Sequence, residues 1–358
     1  MLDAGPTAYQ RAGVARYAGE LLAALGRQAG RDEFIGFVPP RVGPRTWRAA
    51  IAWSHVTRMP LDAAVPRCDV FHATDFVAPL LRRSATVVSV HDLTFALLPS
   101  YHRRLNRTYL SSVLPRVLAR AAAVVVPSEA TRNDLGRFVD ISPEKVFVVH
   151  YGVGAGFAPA PAHAVERVRN AHRLPSRYIL FVGTFEPRKD VSTLLTAYAR
   201  LLLASGSGVP ALVLAGPAGW GPDDVSALIG DLRLGSKVHR LGWISDRDLP
   251  ALMTGAEVFA YPSLYEGFGF PPLEAMACGT PVIASAAGAL PEVVGAGGLL
   301  VSPGDADRWA EALERVLLDP ELCQQLRREG LERAGELSWS RSATRLVEVY
   351  RLAARVAG

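Results

Sequence analysis

Glu266-Gly-Phe-Gly-Phe-Pro-Pro-Leu-Glu274 sets two carboxylates eight positions apart across a loop rich in glycine and proline. Tyr261-Pro-Ser263 before it reads as the end of a strand. Ala275-Met-Ala277 after it supplies good helix formers, with Gly279 as a stop. Pro271 and Pro272 suit the first turn of a helix, where a missing N–H costs little. The stretch therefore reads as strand, loop and helix, with Glu274 beginning the helix. The glycines around Phe268 leave the backbone N–H groups of Gly267, Phe268, Gly269 and Phe270 open to a ligand, and the helix dipole favours an anion there. A carboxylate touching a phosphate would repel it. Carboxylates on either side of the anion accept hydroxyl hydrogen bonds instead, which predicts two sugars joined by a diphosphate, a nucleotide sugar.

Outward from this stretch, short β-branched runs alternate with helical segments, the pattern of parallel sheets with crossover helices. Strands are predicted at Phe34–Val38, Val70–His72, Thr86–Val90, Ala123–Val126 and Lys145–Val149, then at Tyr178–Val182, Ala211–Ala215, Val238–Leu241, Val258–Tyr261, Pro281–Ala284 and Gly298–Val301. Helices are predicted at Val14–Leu25, from Arg104 to Ala119 and at Glu129–Arg137. The fold class is α/β: two doubly wound, Rossmann-like domains whose facing edges form a cleft. Tyr151 to Pro161, rich in Gly, Ala and Pro, reads as the linker. The predicted division is residues 1–160, residues 161–340 and a terminal segment, 341–358, whose helix runs from Ser340 to Val356.

A chain of 358 residues, 49% hydrophobic, has room for two cores of ordinary size. No apolar run reaches the length of a membrane span and no signal peptide opens the chain, so the expected location is the cytoplasm. Cys68, Cys278 and Cys323 are widely separated, lack metal spacing and read as free thiols. The net charge of +5 is carried almost wholly by arginine, since Lys145, Lys189 and Lys237 are the only lysines. That balance suits an anionic nucleotide sugar or an anionic membrane surface, and no nucleic-acid module is recognisable.

Four landmarks in order along nearly the whole chain carry a family resemblance. They are Arg11-Ala-Gly13, Val90-His91-Asp92-Leu93 with Val126-Pro-Ser128, Leu180-Phe-Val-Gly-Thr-Phe-Glu-Pro-Arg188-Lys189, and the pair Glu266 and Glu274. Together these resemble the retaining GT-B glycosyltransferases of glycosyltransferase family 4. His91-Asp-Leu-Thr-Phe95, with Pro99 and His102, most resembles bacterial mannosyltransferases of polysaccharide assembly. The resemblance implies transfer of a hexose from a nucleotide diphosphate sugar, GDP-mannose first and UDP-glucose or UDP-N-acetylglucosamine next, to a glycan or lipid-linked acceptor. It implies no cofactor and no metal.

By the same resemblance, Gly183, Arg188 and Lys189 form the diphosphate clamp, Glu274 binds the ribose, Glu266 meets the donor sugar and His91 faces the scissile bond. Gly13 lets a loop approach the diphosphate, or merely starts a helix. The base rests near Gly242-Trp243-Ile244. Arg188 and Lys189 stand at the start of a helix, an unfavourable place for two cations unless an anion binds there. The family's arginine after the glycine is replaced by Thr184, and its full first strand by the short opening Met1-Leu-Asp-Ala-Gly-Pro, which predicts a truncated first strand.

Other features have plainer readings. Asp305-Ala-Asp307 and Asp246-Arg-Asp248 spell a metal-binding D-x-D but stand at helix starts, where capping explains them. Ser128 reads as an N-cap, Gly152-Val-Gly154-Ala-Gly156 as linker, and His72, His102 and His150 as structural. Asp92 either orients His91 or caps the next turn. Arg82, Arg83, Arg103, Arg104, Arg107, Arg116 and Arg120 surround a helical face with Leu105, Tyr109, Val113, Leu114 and Val117. Such a segment either lies on an anionic membrane at its inner face or packs its apolar side on the sheet.

Overall fold

A run such as Ala123-Val-Val-Val126 has no polar face to offer water, so it must be covered on both sides, as parallel sheets are. The computed structural model describes residues 1–9, 13–28, 30, 32–39, 44–101, 104–219 and 225–357. Arg11, His102 and Arg103, named above, lie outside the described residues. The chain forms two units, one from Met1–Gly152 with Ser338–Gly358 and the other from Val153–Leu337.

The first unit has six parallel strands: β1 (Leu2–Asp3), β2 (Gly36–Phe37), β3 (Val70–Ala73), β4 (Ala85–Ser89), β5 (Ala123–Val126) and β6 (Val146–Val148). Their order is β2-β1-β3-β4-β5-β6. The first strand is two residues long and sits one place in from the edge, held by Leu2 opposite both Gly36 and His72. Strand Phe34–Val38 contracts to Gly36–Phe37, and Lys145 falls in a 3₁₀ turn ahead of β6. The helix Pro44–Thr57 was not foreseen in the sequence. The terminal helix Trp339–Ala357 belongs to this unit, where Ser342 Oγ donates to the His150 carbonyl at 2.6 Å.

The arginine-rich helix runs from Arg104 to Arg120 and buries Leu110, Val113, Leu114, Val117 and Leu118. Its apolar face is therefore spent on the core, and of the face proposed for a membrane only Leu105, 88% exposed, points to solvent. The packing alternative is the one the structure adopts.

The second unit has β7 (Tyr178–Val182), β8 (Ala211–Ala215), β9 (Val238–Leu241), β10 (Val258–Tyr261), β11 (Val282–Ser285) and β12 (Gly298–Val301), all parallel. Five of the six match the predicted bounds, and β11 starts one residue later. Their order, β12-β11-β10-β7-β8-β9, reverses direction between β7 and β10. All four residues of β10 are buried, as a central parallel strand requires.

Candidate active site

Where strand order reverses in an open α/β sheet, the loops leaving the carboxyl ends diverge and open a crevice. In the second unit those loops leave β7, through Gly183 to Lys189, and β10, through Pro262 to Gly269. A backbone bond from Leu264 N to the Arg188 carbonyl, 2.8 Å, ties one loop to the other. Gly288 fixes the second loop from outside. Its φ is +55°, and a methyl there would press on the Glu266 backbone.

Arg188 and Lys189 occupy a 3₁₀ turn, Pro187–Lys189, before the N-cap Asp190 of the helix Val191–Ser205. The expectation that they open the helix itself is corrected: Asp190 does so, accepting from Thr193 N, and its carboxylate offsets the neighbouring cations. Both cations converge instead on Glu266. Lys189 Nζ donates to Glu266 Oε1 and to the Tyr261 hydroxyl, each at 2.6 Å. Tyr261 OH donates to the same Oε1 at 3.1 Å and Ser263 Oγ at 2.6 Å. Arg188 Nη1 lies 2.9 Å from Glu266 Oε2 and donates to the Tyr265 carbonyl at 2.6 Å, while its Nη2 reaches Glu186 at 2.7 Å.

This cluster is buried, Lys189 and Glu266 each being 9% exposed. Burial alone would raise the Glu266 carboxyl, but Arg188, then Lys189, then hydrogen bonds from Lys189 and Ser263 bring it down to about 2. Burial first, and Arg188 next, lower the Lys189 ammonium against the pull of Glu266. Burial and the Glu266 charge hold the Tyr261 phenol well above its usual value, so it stays a donor. Glu266 is therefore an ionised carboxylate and a poor base, with both oxygens occupied. It anchors two cations, a role its place in the loop did not reveal.

Glu274 lies in the second turn of the helix Phe270–Ala277, not at its start, and is buried. The N-cap is Gly269, with φ +110°. Phe268 packs edge-on to Phe270 at 5.5 Å and is buried, so its side chain belongs to the core. Of the pair predicted near the base, Trp243 is 59% exposed whereas Ile244 is buried. Gly183 follows β7 and donates its N–H to the Ala215 carbonyl at 2.9 Å.

Gly13 and His91 belong to the first unit. Gly13 is exposed and begins the helix Gly13–Gly26. His91 follows β4, and its Nε2 is 2.7 Å from the Thr74 carbonyl, which can only accept. Nε2 therefore carries the proton and Nδ1 accepts from Tyr151 OH at 2.6 Å. Burial lowers the ring's pKa. The ring is thus neutral and engaged at both nitrogens by its own unit, so any direct chemistry at His91 must first break one of these bonds. Asp92 Oδ1 takes the Thr94 N–H at 2.9 Å, which settles its role as a turn cap. His72 is structural as expected, joining Tyr350 OH (2.6 Å) to Ser89 Oγ (2.8 Å) inside the unit.

Sequence reasoning passed over Tyr261, Ser263 and Glu186 as site residues. A signal existed: Tyr261 ends the strand preceding the acidic loop, where α/β sheets present side chains to ligands. Ser128 caps its helix as predicted. Asp305 also caps a helix and Asp307 pairs with Arg200 at 2.6 Å, whereas the Asp248 side chain binds Arg167 at 3.1 Å rather than capping. No cluster of three metal-ligating side chains occurs among the described residues.

A family model described as glycosyl transferases group 1 matches residues 164–333, and one described as glycosyltransferase family 4 matches residues 12–155. O-antigen chain mannosyltransferase B of Escherichia coli is 31% identical over 284 residues, 79% of this chain and 74% of that protein. The MMP alpha-(1->4)-mannosyltransferase of Mycolicibacterium hassiacum is 39% identical over 248 residues, 68% of this chain but 57% of that one. Among solved structures, Anabaena HepE in complex with UDP-glucose aligns over 97% of both chains with a TM-score of 0.73 at 19% identity. The two parallel six-stranded sheets are those of a GT-B glycosyltransferase. The chain belongs to the family 4, or group 1, glycosyltransferases and is a transferase enzyme.

Proposed function

We propose that the enzyme transfers mannose, with retention of anomeric configuration and without a metal, from GDP-mannose to a glycan or lipid-linked acceptor in polysaccharide assembly. The observation that carries the reading is the convergence of Arg188 and Lys189 at the carboxyl ends of β7 and β10. A departing nucleoside diphosphate gains negative charge, and fixed cations at a switch point stabilise that charge with little reorganisation. Lys189 gives two of its three N–H bonds to Tyr261 and Glu266, which leaves the third for a phosphate oxygen. Arg188 can exchange its bond to Glu266 Oε2 for another phosphate oxygen, freeing Oε2 to accept a hydroxyl of the donor sugar. Glu274 is assigned to the ribose hydroxyls.

Retention then follows a front-face course. With Lys189 and Ser263 still bonded to its Oε1, Glu266 stays an ionised and weakly basic carboxylate, and the acceptor proton is assigned to the leaving phosphate. Mannose is favoured by the names of the two curated relatives, and a glycan acceptor by the first of them. UDP-glucose is the second reading, favoured by the ligand of the Anabaena structure.

A donor panel tests the proposal. GDP and GDP-mannose should raise the melting temperature more than UDP and its sugars, and NMR of the product should show an α-linkage formed from the α-donor. A response to uridine nucleotides alone would transfer the assignment to a UDP-sugar. No response to any nucleoside diphosphate would remove the site from the second unit's switch point.

A further inference from the structure

The Arg188 guanidinium is held from more than one side. Nη1 donates to the Tyr265 carbonyl at 2.6 Å and lies 2.9 Å from Glu266 Oε2, while Nη2 donates to Glu186 Oε1 at 2.7 Å. If Arg188 gives up Glu266 Oε2 for a phosphate oxygen, Glu186 and the Tyr265 carbonyl still hold the guanidinium plane. Glu186 is well suited to be such a fixed contact. It is the N-cap of the turn Pro187–Lys189, yet its side chain caps no N–H of that turn, so the carboxylate is spent on Arg188.

The backbone beneath Glu186 is rigidly mounted. Phe185 N donates to the Pro217 carbonyl at 3.1 Å, and Phe185 bridges to Ala218 in the parallel sense, prolonging the β7–β8 pairing past the ends of both strands. A glycine permits this approach: a methyl on Gly219 would overlap the Phe185 carbonyl and press on Glu186 N. On the other side, Lys189 N donates to the Glu186 carbonyl at 2.9 Å and closes the turn. The carboxylate thus stands on a segment pinned by the neighbouring loop, and Arg188, two residues on, is half-buried against it.

We infer that Glu186 is a positioning residue, which aims the Arg188 guanidinium so that it meets the growing charge of the departing diphosphate without reorganising. Fixed donors stabilise such charge best when a supporting contact locks their geometry beforehand. By Coulomb's law alone, a carboxylate beside an anion site disfavours the anion. Aim and charge therefore predict opposite results when Glu186 is removed, which makes the role testable. The inference rests on the assignment of Arg188 to the diphosphate and adds the residue that orients it.

A double-mutant cycle between Glu186 and Arg188 tests it. The readouts are nucleoside diphosphate release from GDP-mannose, or from UDP-glucose where the donor panel selects it, and calorimetric binding of the same diphosphate. Glu186→Ala should lower kcat roughly tenfold or more, the worth of one hydrogen bond to a charged group. Diphosphate affinity should change less than about threefold, because a misaligned arginine is missed most where charge is greatest. Glu186→Gln keeps an acceptor at the same reach and should restore most of the loss. In an Arg188→Ala background, Glu186→Ala should add almost nothing, since no guanidinium is left to aim. The inference is overturned if Glu186→Ala keeps the parent kcat, or if it tightens diphosphate binding and speeds turnover, as loss of a repelling charge would. Additive effects of the two alanine changes would overturn it as well. An Arg188→Ala enzyme with unchanged affinity and turnover would remove the clamp and this inference together, whereas an impaired Arg188→Ala beside an intact Glu186→Ala would remove the positioning role alone.

Discussion

Lys189→Met should destabilise the second unit, and the size of the loss can be worked from the cluster. The substitution leaves Glu266 buried at 9% exposure with Arg188, Ser263 and Tyr261 as its remaining partners. Breaking a buried ion pair from one side costs about 3–5 kcal/mol, and the retained Arg188 contact places this case at the low end. The Glu266 carboxyl is brought down to about 2 by Arg188 first and only then by Lys189, so the lysine supplies part of that stabilisation and the loss is set at about 3 kcal/mol. For a unit of this size, that is a fall in Tm of roughly 6–12 °C. The pairing also sets a pH dependence. Because the folded pKa is depressed, the contribution is complete above the unfolded value near ~4.3 and disappears as pH drops toward the folded value. Calorimetry on the full chain, following the transition that moves on adding nucleoside diphosphate, measures the loss. The double variant Lys189→Met, Glu266→Gln should recover much of it, because the amide keeps hydrogen bonds to Ser263 and Tyr261 without a stranded charge. A Tm for Lys189→Met within about 2 °C of the parent would refute the reasoning, as that is less than 1 kcal/mol; so would strictly additive single and double variants.

Gly288→Ala should disturb the same loop from behind, since its φ of +55° and the Glu266 backbone both resist a methyl; a loss of about 1–3 kcal/mol with a fall in kcat is expected, and unchanged kinetics would detach Gly288 from the site. Tyr261→Phe keeps the ring stacked on Phe181 and Phe259 but removes a shared hydroxyl, so stability should drop about 1 kcal/mol and kcat more than KM, as steady-state kinetics can check. His72 is held down to about 3, by burial first and then by the amino terminus and His91, so the unfolded chain takes up a proton before the folded one; stability should decline below about pH 6.5, and urea midpoints for His72→Gln should decline less steeply on acidification. Turnover should persist in EDTA, and loss restored by manganese or magnesium would direct attention back to Asp246 and Asp305.

The strand, loop and helix around Glu266 were legible because each depends on neighbours in the chain: an apolar run, glycines at a turn, prolines in a first helical turn. The bounds of β7, β8, β9, β10 and β12 could be read for the same reason, as could the doubly wound class, which follows from alternation alone. A truncated first strand was expected from the short opening, but the bounds and partners of β1 were not legible because its pairing comes from β2 and β3, far along the chain. Glu266 and Lys189 are 77 positions apart, and no local pattern states that the Lys189 ammonium donates to the Glu266 carboxylate. Their pairing exists because β10 lies beside β7, a choice of strand order. Burial decided the rest. Two helices in the first unit carry apolar residues on a face, and periodicity treats both faces alike. Only packing sends Val113, Leu114 and Val117 into the core and leaves Trp53 and Val56 facing out, because burial is settled by what each helix lies against.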